Sequence, residues 1–317
     1  MKMKRLLSLL SVLPLVSCTS DFVLESKVFY FDTLINIRLF QGHNSDLKYI
    51  KNVLREIDEL SDNYHQRDVN NVYTLNHTNE GVTVSETLYD LLEKAVDANN
   101  QGATYFNPLC GTLSQLWKDS LANNQIPSNE QISSELYKMS TSSIEFLENR
   151  VVRRNGDATI DLGGIAKGYA LDIIKEWLDV VEIKQYLVNA GSSSILLGEK
   201  NEGSGYFSVG IREISNSYLK LKNCFVSTSG LSAQGVTIDG VTYSHIINPV
   251  TGSAINENDS VIVISDSGYL GDALSTSMMM NTVEEIQLIE EQYNVKTIVI
   301  KNGQKIYSHR DLKVYHH

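Results

Sequence analysis

Apolar and polar positions alternate from residue 28 to 40, which places Phe29, Phe31, Thr33, Ile35, Ile37 and Leu39 on one face of an expected β-strand. The period then changes. Leu47, Ile50, Leu54, Ile57 and Leu60 recur at helical spacing, so residues 46–60 predict an amphipathic helix. A second helix is expected over 85–99, with Ser85 placed to cap it. Residues 120–145 are rich in Ser, Asn and Glu and predict weak helix and surface loop. Beyond residue 150 the texture is different. Short strands are expected at 158–162, 185–189, 205–211, 221–227, 260–265 and 296–301, and helices at 166–178, 269–281 and 283–293. Asp239-Gly240 between Val236-Thr-Ile238 and Val241-Thr-Tyr243 signals a hairpin, and Asn302-Gly303 signals another.

No internal repeat, low-complexity linker or dinucleotide-binding glycine fingerprint occurs. The pattern predicts an α+β chain with mixed or antiparallel sheets, and its 317 residues allow one large domain or two lobes sharing a cleft. With 42% apolar residues, 21% charged residues and four prolines, the composition suits a packed core rather than disorder. The formal net charge of −11 argues against a nucleic-acid partner, which needs a basic face.

The N-terminus carries Lys2, Lys4 and Arg5 ahead of an apolar run over 6–16. That run is too short to span a bilayer and has the form of a secretory signal. It ends Leu15-Val-Ser-Cys18, which resembles a bacterial lipobox. The expected organisation is a signal over 1–17, a lipidated Cys18 opening a tether over 18–27, and a folded domain over 28–317. An anchored protein facing the periplasm or cell exterior would follow; an ordinary cleaved signal with an incidental cysteine is the alternative. Cys110 and Cys224 sit beside apolar residues and are expected as buried free thiols, since two cysteines do not establish a disulfide. No paired Cys/His spacing suggests zinc.

Three segments could carry chemistry. Thr159-Ile-Asp161-Leu-Gly163-Gly164 leads into the helix at 166–178, a junction whose free amides and positive helix end suit an anion. Lys167 in the first turn opposes the helix dipole, and a bound anion would account for it, although a solvated lysine on a plain turn fits as well. Next, His245 lies in Ser244-His-Ile-Ile-Asn-Pro-Val-Thr-Gly252, at a strand end among turn residues, where it could accept a proton; most lone histidines are structural. Last, Asp272 and Thr276 in Gly271-Asp-Ala-Leu-Ser-Thr276 share one helix face. A carboxylate plus a hydroxyl suits Mg²⁺ better than Zn²⁺, and an acidic helix start is the plainer explanation.

Together and in this order, Asp161-Leu-Gly-Gly-Ile-Ala-Lys-Gly-Tyr-Ala-Leu-Asp172, Thr228-Ser-Gly230 with His245-Ile-Ile-Asn-Pro-Val-Thr-Gly252, and Asp272-Ala-Leu-Ser-Thr276 resemble the ApbE family of FAD:protein FMN transferases. The resemblance runs over essentially the whole chain after the signal. It implies an ApbE-like, T-fold-related architecture with two lobes around an FAD cleft. It also implies transfer of FMN from FAD to a Thr or Ser hydroxyl of an acceptor protein, with Mg²⁺ and with release of AMP. Asp272 and Thr276 are then implied metal ligands, with the Gly164 carbonyl and with Ser275 nearby. Asp161, Lys167 and the backbone around Ile246 are implied FAD contacts, and His245 is implicated in transfer. Tyr64 resembles the aromatic position near the flavin, and Tyr105-Phe106-Asn107 a stretch lining the adenosine end. The sequence departs from the family pattern at Asn107 and Leu109, at Phe31-Asp32 and at Ser192-Ser-Ser194. An FAD pyrophosphatase and a non-catalytic flavin-binding lipoprotein are the competing readings.

Overall fold

The computed structural model describes residues 23–200, 203, 205–231, 235–238, 240–255 and 258–316. The expected signal and Cys18 lie outside the described residues, as does Asp239. The first half holds β1 (Leu24–Tyr30), β2 (Thr33–Leu39), α1 (Asn44–Ser61), α2 (Val72–Asn76), β3 (Val82–Thr83), α3 (Glu86–Gln101), α4 (Gly111–Ala122), α5 (Asn129–Ser140), β4 (Ser143–Leu147) and β5 (Val151–Asn155). Then come α6 (Ala166–Val180), β6 (Tyr186–Ala190), β7 (Ser194–Leu197), β8 (Phe207–Gly210), β9 (Ser217–Leu221), β10 (Cys224–Gly230), β11 (Val236–Ile238) and β12 (Val241–Tyr243). The chain closes with β13 (Ser260–Ser265), α7 (Gly268–Met278), α8 (Val283–Tyr293), β14 (Lys296–Lys301), β15 (Gln304–Ser308) and β16 (Val314–His316).

The scaffold is an eight-stranded sheet in the order β1-β2-β6-β7-β10-β13-β14-β15, antiparallel throughout. Alternation along β10 and β13 divides two cores. Phe225, Val261 and Val263 pack on the helical side with α1, α3, α6 and α7. Val226, Ile262 and Ile264 pack on the other side, against Phe207 and Leu219 of the small β16-β9-β8 sheet. The helical side therefore carries Ser227 and Ser229, two polar positions in register with Phe225. Among the described residues no helix is long and apolar enough to cross a membrane.

Several expectations change. The single strand over 28–40 is a hairpin, because Phe31 and Asp32 both turn left-handed at φ 53. That two-residue turn flips parity. Phe29 pairs with Leu34, both exposed, while Val28 pairs with the buried Ile35. The Asp58 carboxylate accepts the Phe31 amide at 2.7 Å and pins this turn to α1. β1 begins at Leu24, inside the segment read as a tether. Residues 120–145 contain a well-formed α5, whose Ser128 and Gln131 make a reciprocal capping box. The helix expected over 269–281 ends at Met278.

The strand expected over 158–162 belongs to no sheet. Loops, not strands, flank it, and side chains replace the ladder. Asn76 accepts from the Ile160 amide at 2.7 Å and donates to its carbonyl at 2.9 Å. The Asp161 amide donates to the Pro108 carbonyl, and Gly111 to that of Thr159, each at 2.9 Å. Buried Arg154 donates to the carbonyls of Leu75, Gly156 and Ala158 and to the Asn79 side chain. A guanidinium spread over neutral carbonyls keeps this segment extended without a neighbouring strand.

Candidate active site

The centre of the site is the crossing of α6 and α7. Their first turns touch backbone to backbone: a Cβ on Gly168 would lie 2.1 Å from the Gly268 carbonyl oxygen. A Cβ on Gly268 would lie 2.3 Å from that of Gly168, so no larger residue fits at either place. Each helix then caps the other. Asp272 of α7 accepts the Gly168 amide at 2.8 Å. Asp172 of α6 accepts the Gly268 and Tyr269 amides, both at 2.7 Å. Neither helix carries a side-chain cap of its own, and these cross-helix carboxylates satisfy amides that would otherwise stay unpaired.

Asp272 is buried on the helical side of the main sheet. Besides Gly168 it accepts from Ser227 at 2.6 Å and from Ser194 at 2.8 and 2.9 Å to its two oxygens. Burial raises its pKa; the Lys167 charge and these donors pull the other way. One turn on, Ser275 and Thr276 donate to the Asp272 carbonyl at 3.0 and 3.2 Å, with Ser229 bridging both hydroxyls. Gly164 lies alongside, since a Cβ there would be 3.5 Å from the Thr276 hydroxyl and 3.2 Å from the Phe106 ring. The expected residues Gly164, Asp272, Ser275 and Thr276 are thus brought together. Their oxygens are all hard donors, and few in number, which fits a small cation that keeps several waters. Among the described residues no group of three or more His, Cys, Asp and Glu could hold a metal, so a thiolate- or imidazole-rich site is not what this region offers.

Lys167 projects from the first turn of α6 and forms no salt bridge among the described residues. Its charge acts on Asp161, Asp272 and His245 alike. The His245 side chain reaches solvent, yet crowding by protein and then the Lys167 charge lower its pKa from 6.5. Near pH 7 it is therefore a neutral imidazole, able to take a proton. Asp161 is pushed up by burial and pulled down by the Gly163 amide at 2.8 Å, then by Lys118 and Lys167.

At Ile246, whose surrounding backbone is an implied FAD contact, the amide and carbonyl are both bonded within the chain. Its amide donates to Ser244 at 2.8 Å and its carbonyl accepts from Ile255 at 3.1 Å, so both groups are committed inward. The turn after it is built by Asn248, which accepts from Val250 and Thr251, and Trp117 pins that turn through Gly252 at 2.7 Å.

Tyr64, implied to lie near the flavin, is 49% exposed on a loop that Asp62 and Asn71 build. Asp62 accepts the Tyr64 and His65 amides at 2.8 and 3.1 Å and pairs with Arg67. Fully buried Asn71 donates to the carbonyls of Glu59, Asp62 and His65. Of the expected adenosine-end stretch, Tyr105 donates its amide to Ser277 at 3.1 Å, and buried Phe106 lies against Gly164. The Asn107 side chain accepts the Leu109 amide at 2.9 Å and so serves its own turn. Cys110 and Cys224 are free thiols, both pushed up to about 12 by burial. Two cavities, of about 200 and 330 Å³, share Ser192, Gly210, Thr228 and Ile262. Strand alternation puts Thr228 and Ile262 on the face opposite Asp272, so these cavities are not the space around the carboxylate.

Sequence reasoning assigned no role to Ser194, Ser227 or Ser229, and treated Gly168 and Asp172 only as parts of a motif. The serines carried one signal: polar side chains at alternate positions of otherwise apolar strands, on the face that should be core.

The ApbE family model matches residues 31–299. A protein of Klebsiella pneumoniae named FAD:protein FMN transferase is 29% identical over 68% of this chain and 69% of its own. One of the same name from Vibrio cholerae is 24% identical over 84% of this chain and 83% of its own. The crystal structure of the ApbE protein from Thermotoga maritima superposes with a TM-score of 0.80 at 26% identity, covering 91% of this chain and 97% of that one.

Proposed function

Because the chain belongs to the ApbE family, we propose that it is an FAD:protein FMN transferase, which moves FMN from FAD onto a Thr or Ser hydroxyl of an acceptor protein and releases AMP. The observation that carries this reading is the α6–α7 crossing, where buried Asp272, the Gly164–Thr276 contact, a Lys167 with no salt bridge among the described residues and a neutral His245 converge. Phosphoryl-type transfer needs positioning and charge neutralisation more than covalent help. Asp272, Thr276 and the Gly164 carbonyl would hold Mg²⁺, with Ser275 beside them; the ion, when bound, neutralises pyrophosphate charge. Lys167 adds a fixed positive charge at the helix start. The His245 imidazole takes the acceptor hydroxyl's proton as that oxygen forms a bond to the FMN phosphorus. The bond from that phosphorus to the AMP oxygen breaks, and the flavin remains on the acceptor as a phosphoester.

In the same reading the N-terminal segment is a signal and Cys18 carries a lipid anchor, so that the enzyme meets its acceptors at the membrane surface outside the cytoplasm. The decisive test mixes residues 19–317 with FAD, Mg²⁺ and a flavin-acceptor domain. A mass gain equal to FMN on a Thr or Ser is expected. AMP release that does not need the acceptor would instead identify an FAD pyrophosphatase, and FAD binding without AMP release would identify a carrier.

A further inference from the structure

Lys118 enters nothing above beyond its pull on Asp161, yet it lies against Tyr64. It projects from α4 into solvent, with its ammonium 4.4 Å from the centroid of the Tyr64 ring and 3.4 Å from the Tyr64 hydroxyl. Among the described residues it forms no salt bridge. A ring face and a phenol are weak partners for an ammonium in water, and both can be exchanged for a phosphate at little cost. The ring beneath it is held in place, because Asp62 and Asn71 fix the loop that presents Tyr64. The turn of α4 that carries Lys118 is held too: neighbouring Trp117 is buried and bonded to Gly252. The Lys118 charge, like that of Lys167 on α6, also acts on Asp161. One carboxylate therefore feels two cations, neither of them in a salt bridge among the described residues. In a chain with a net charge of −11, this is a local positive spot suited to a polyanion.

We propose that Lys118 is a second cationic binding residue of the site, which leaves the Tyr64 ring to contact a phosphate of the dinucleotide substrate. The inference rests on the proposed function, in that FAD is taken as the polyanion. Because Lys118 is exposed and reaches through a flexible stem, its contact acts in binding and contributes little that is specific to the transition state. Removing its charge should thus raise KM and leave kcat nearly unchanged.

The test compares wild type with Lys118→Met, which keeps the stem, and Lys118→Arg, which keeps the charge. FAD affinity is read by flavin fluorescence, without turnover, and KM and kcat are read from FMN transfer at several salt concentrations. In Lys118→Met the FAD Kd and KM should rise roughly tenfold, the scale of one lost charge-assisted contact. kcat should stay within about twofold, and the dependence of KM on salt should flatten. Lys118→Arg should restore both. Wild-type affinity and salt dependence in Lys118→Met, beside a wild type that binds FAD, would overturn the role of Lys118 alone. A wild type that does not bind FAD would overturn the proposed function and this inference with it. A fall in kcat with unchanged KM would also overturn it, since Lys118 would then act on the reaction step.

Discussion

The inner and outer halves of the site are built on opposite principles. Around Asp272 nearly every polar group is buried and has several partners supplied by backbone or by short side chains on rigid elements. Around Tyr64, Lys118 and His245 the groups are exposed, and each hangs on a loop, a helix face or a turn held from behind by clamps such as Asp62, Asn71 and Trp117. The inner half is preorganised and expensive to change, because removing one member leaves the others unpaired in low dielectric. The outer half can reorganise around a ligand, and a change there costs little more than the contact itself.

The sharpest way to break this contrast is Asp272→Ala. The substitution removes the carboxylate proposed to hold Mg²⁺ and the α6 cap together, and leaves Ser194 and Ser227 without their acceptor. Transfer should fall by on the order of 10³ or more, measured by in-gel flavin fluorescence of the acceptor. Full transfer by a folded Asp272→Ala protein would remove Asp272 from the mechanism.

Next in size is Gly168→Ala, which touches no ligand. Its methyl group would meet the Gly268 carbonyl, so the helices must separate, at a cost of about 3 kcal/mol. A thermal melt should show a clear loss of Tm even though alanine is the better helix former. A Tm equal to wild type would mean that the α6–α7 crossing is not as tight as the two glycines make it.

The smallest effect probes the outer half through pH. His245 must be neutral to accept a proton, and its pKa is held below 6.5 by crowding and by Lys167. The sign follows directly: transfer should be flat near pH 7 and above, and fall only on the acid side of 6.5, about tenfold per pH unit once His245 is protonated. His245→Asn should lower the plateau and lose the acid limb. An acid limb that survives this substitution would assign the titration to another group.

Much of the inner half was legible because its residues are close in sequence or share a helix face. Gly163-Gly164, Lys167 and Gly168 open one helix, and Asp272, Ser275 and Thr276 lie on one turn of another, so local period was enough to group them. In the outer half, Tyr64 was legible only through resemblance, His245 as a lone candidate at a strand end, and Lys118 not at all. Nothing local in the sequence links Tyr64 to Lys118 or His245 to Lys167, since those pairs meet by the packing of distant elements.

What the sequence by itself determined is the set of periodic elements. α1, α3, α6, α8, β13 and β14 follow from apolar spacing, and the hairpins at Gly240 and at Asn302-Gly303 follow from residues that accept left-handed backbone. Tertiary structure decided three things that spacing could not. The turn at Phe31-Asp32 puts a bulky phenylalanine at φ 53, which it does not prefer, and the Asp58 bond to the Phe31 amide holds it there. Ala158 to Leu162 has the composition of a strand but pairs with none, so Asn76 bonds Ile160 and Arg154 bonds Ala158 instead. The exchange of caps between Asp172 and Asp272 exists only because two glycines, a hundred residues apart, let the helices approach closely enough to share amides. Chain spacing can mark such carboxylates as polar positions on a helix, and only contact reveals which amides they satisfy.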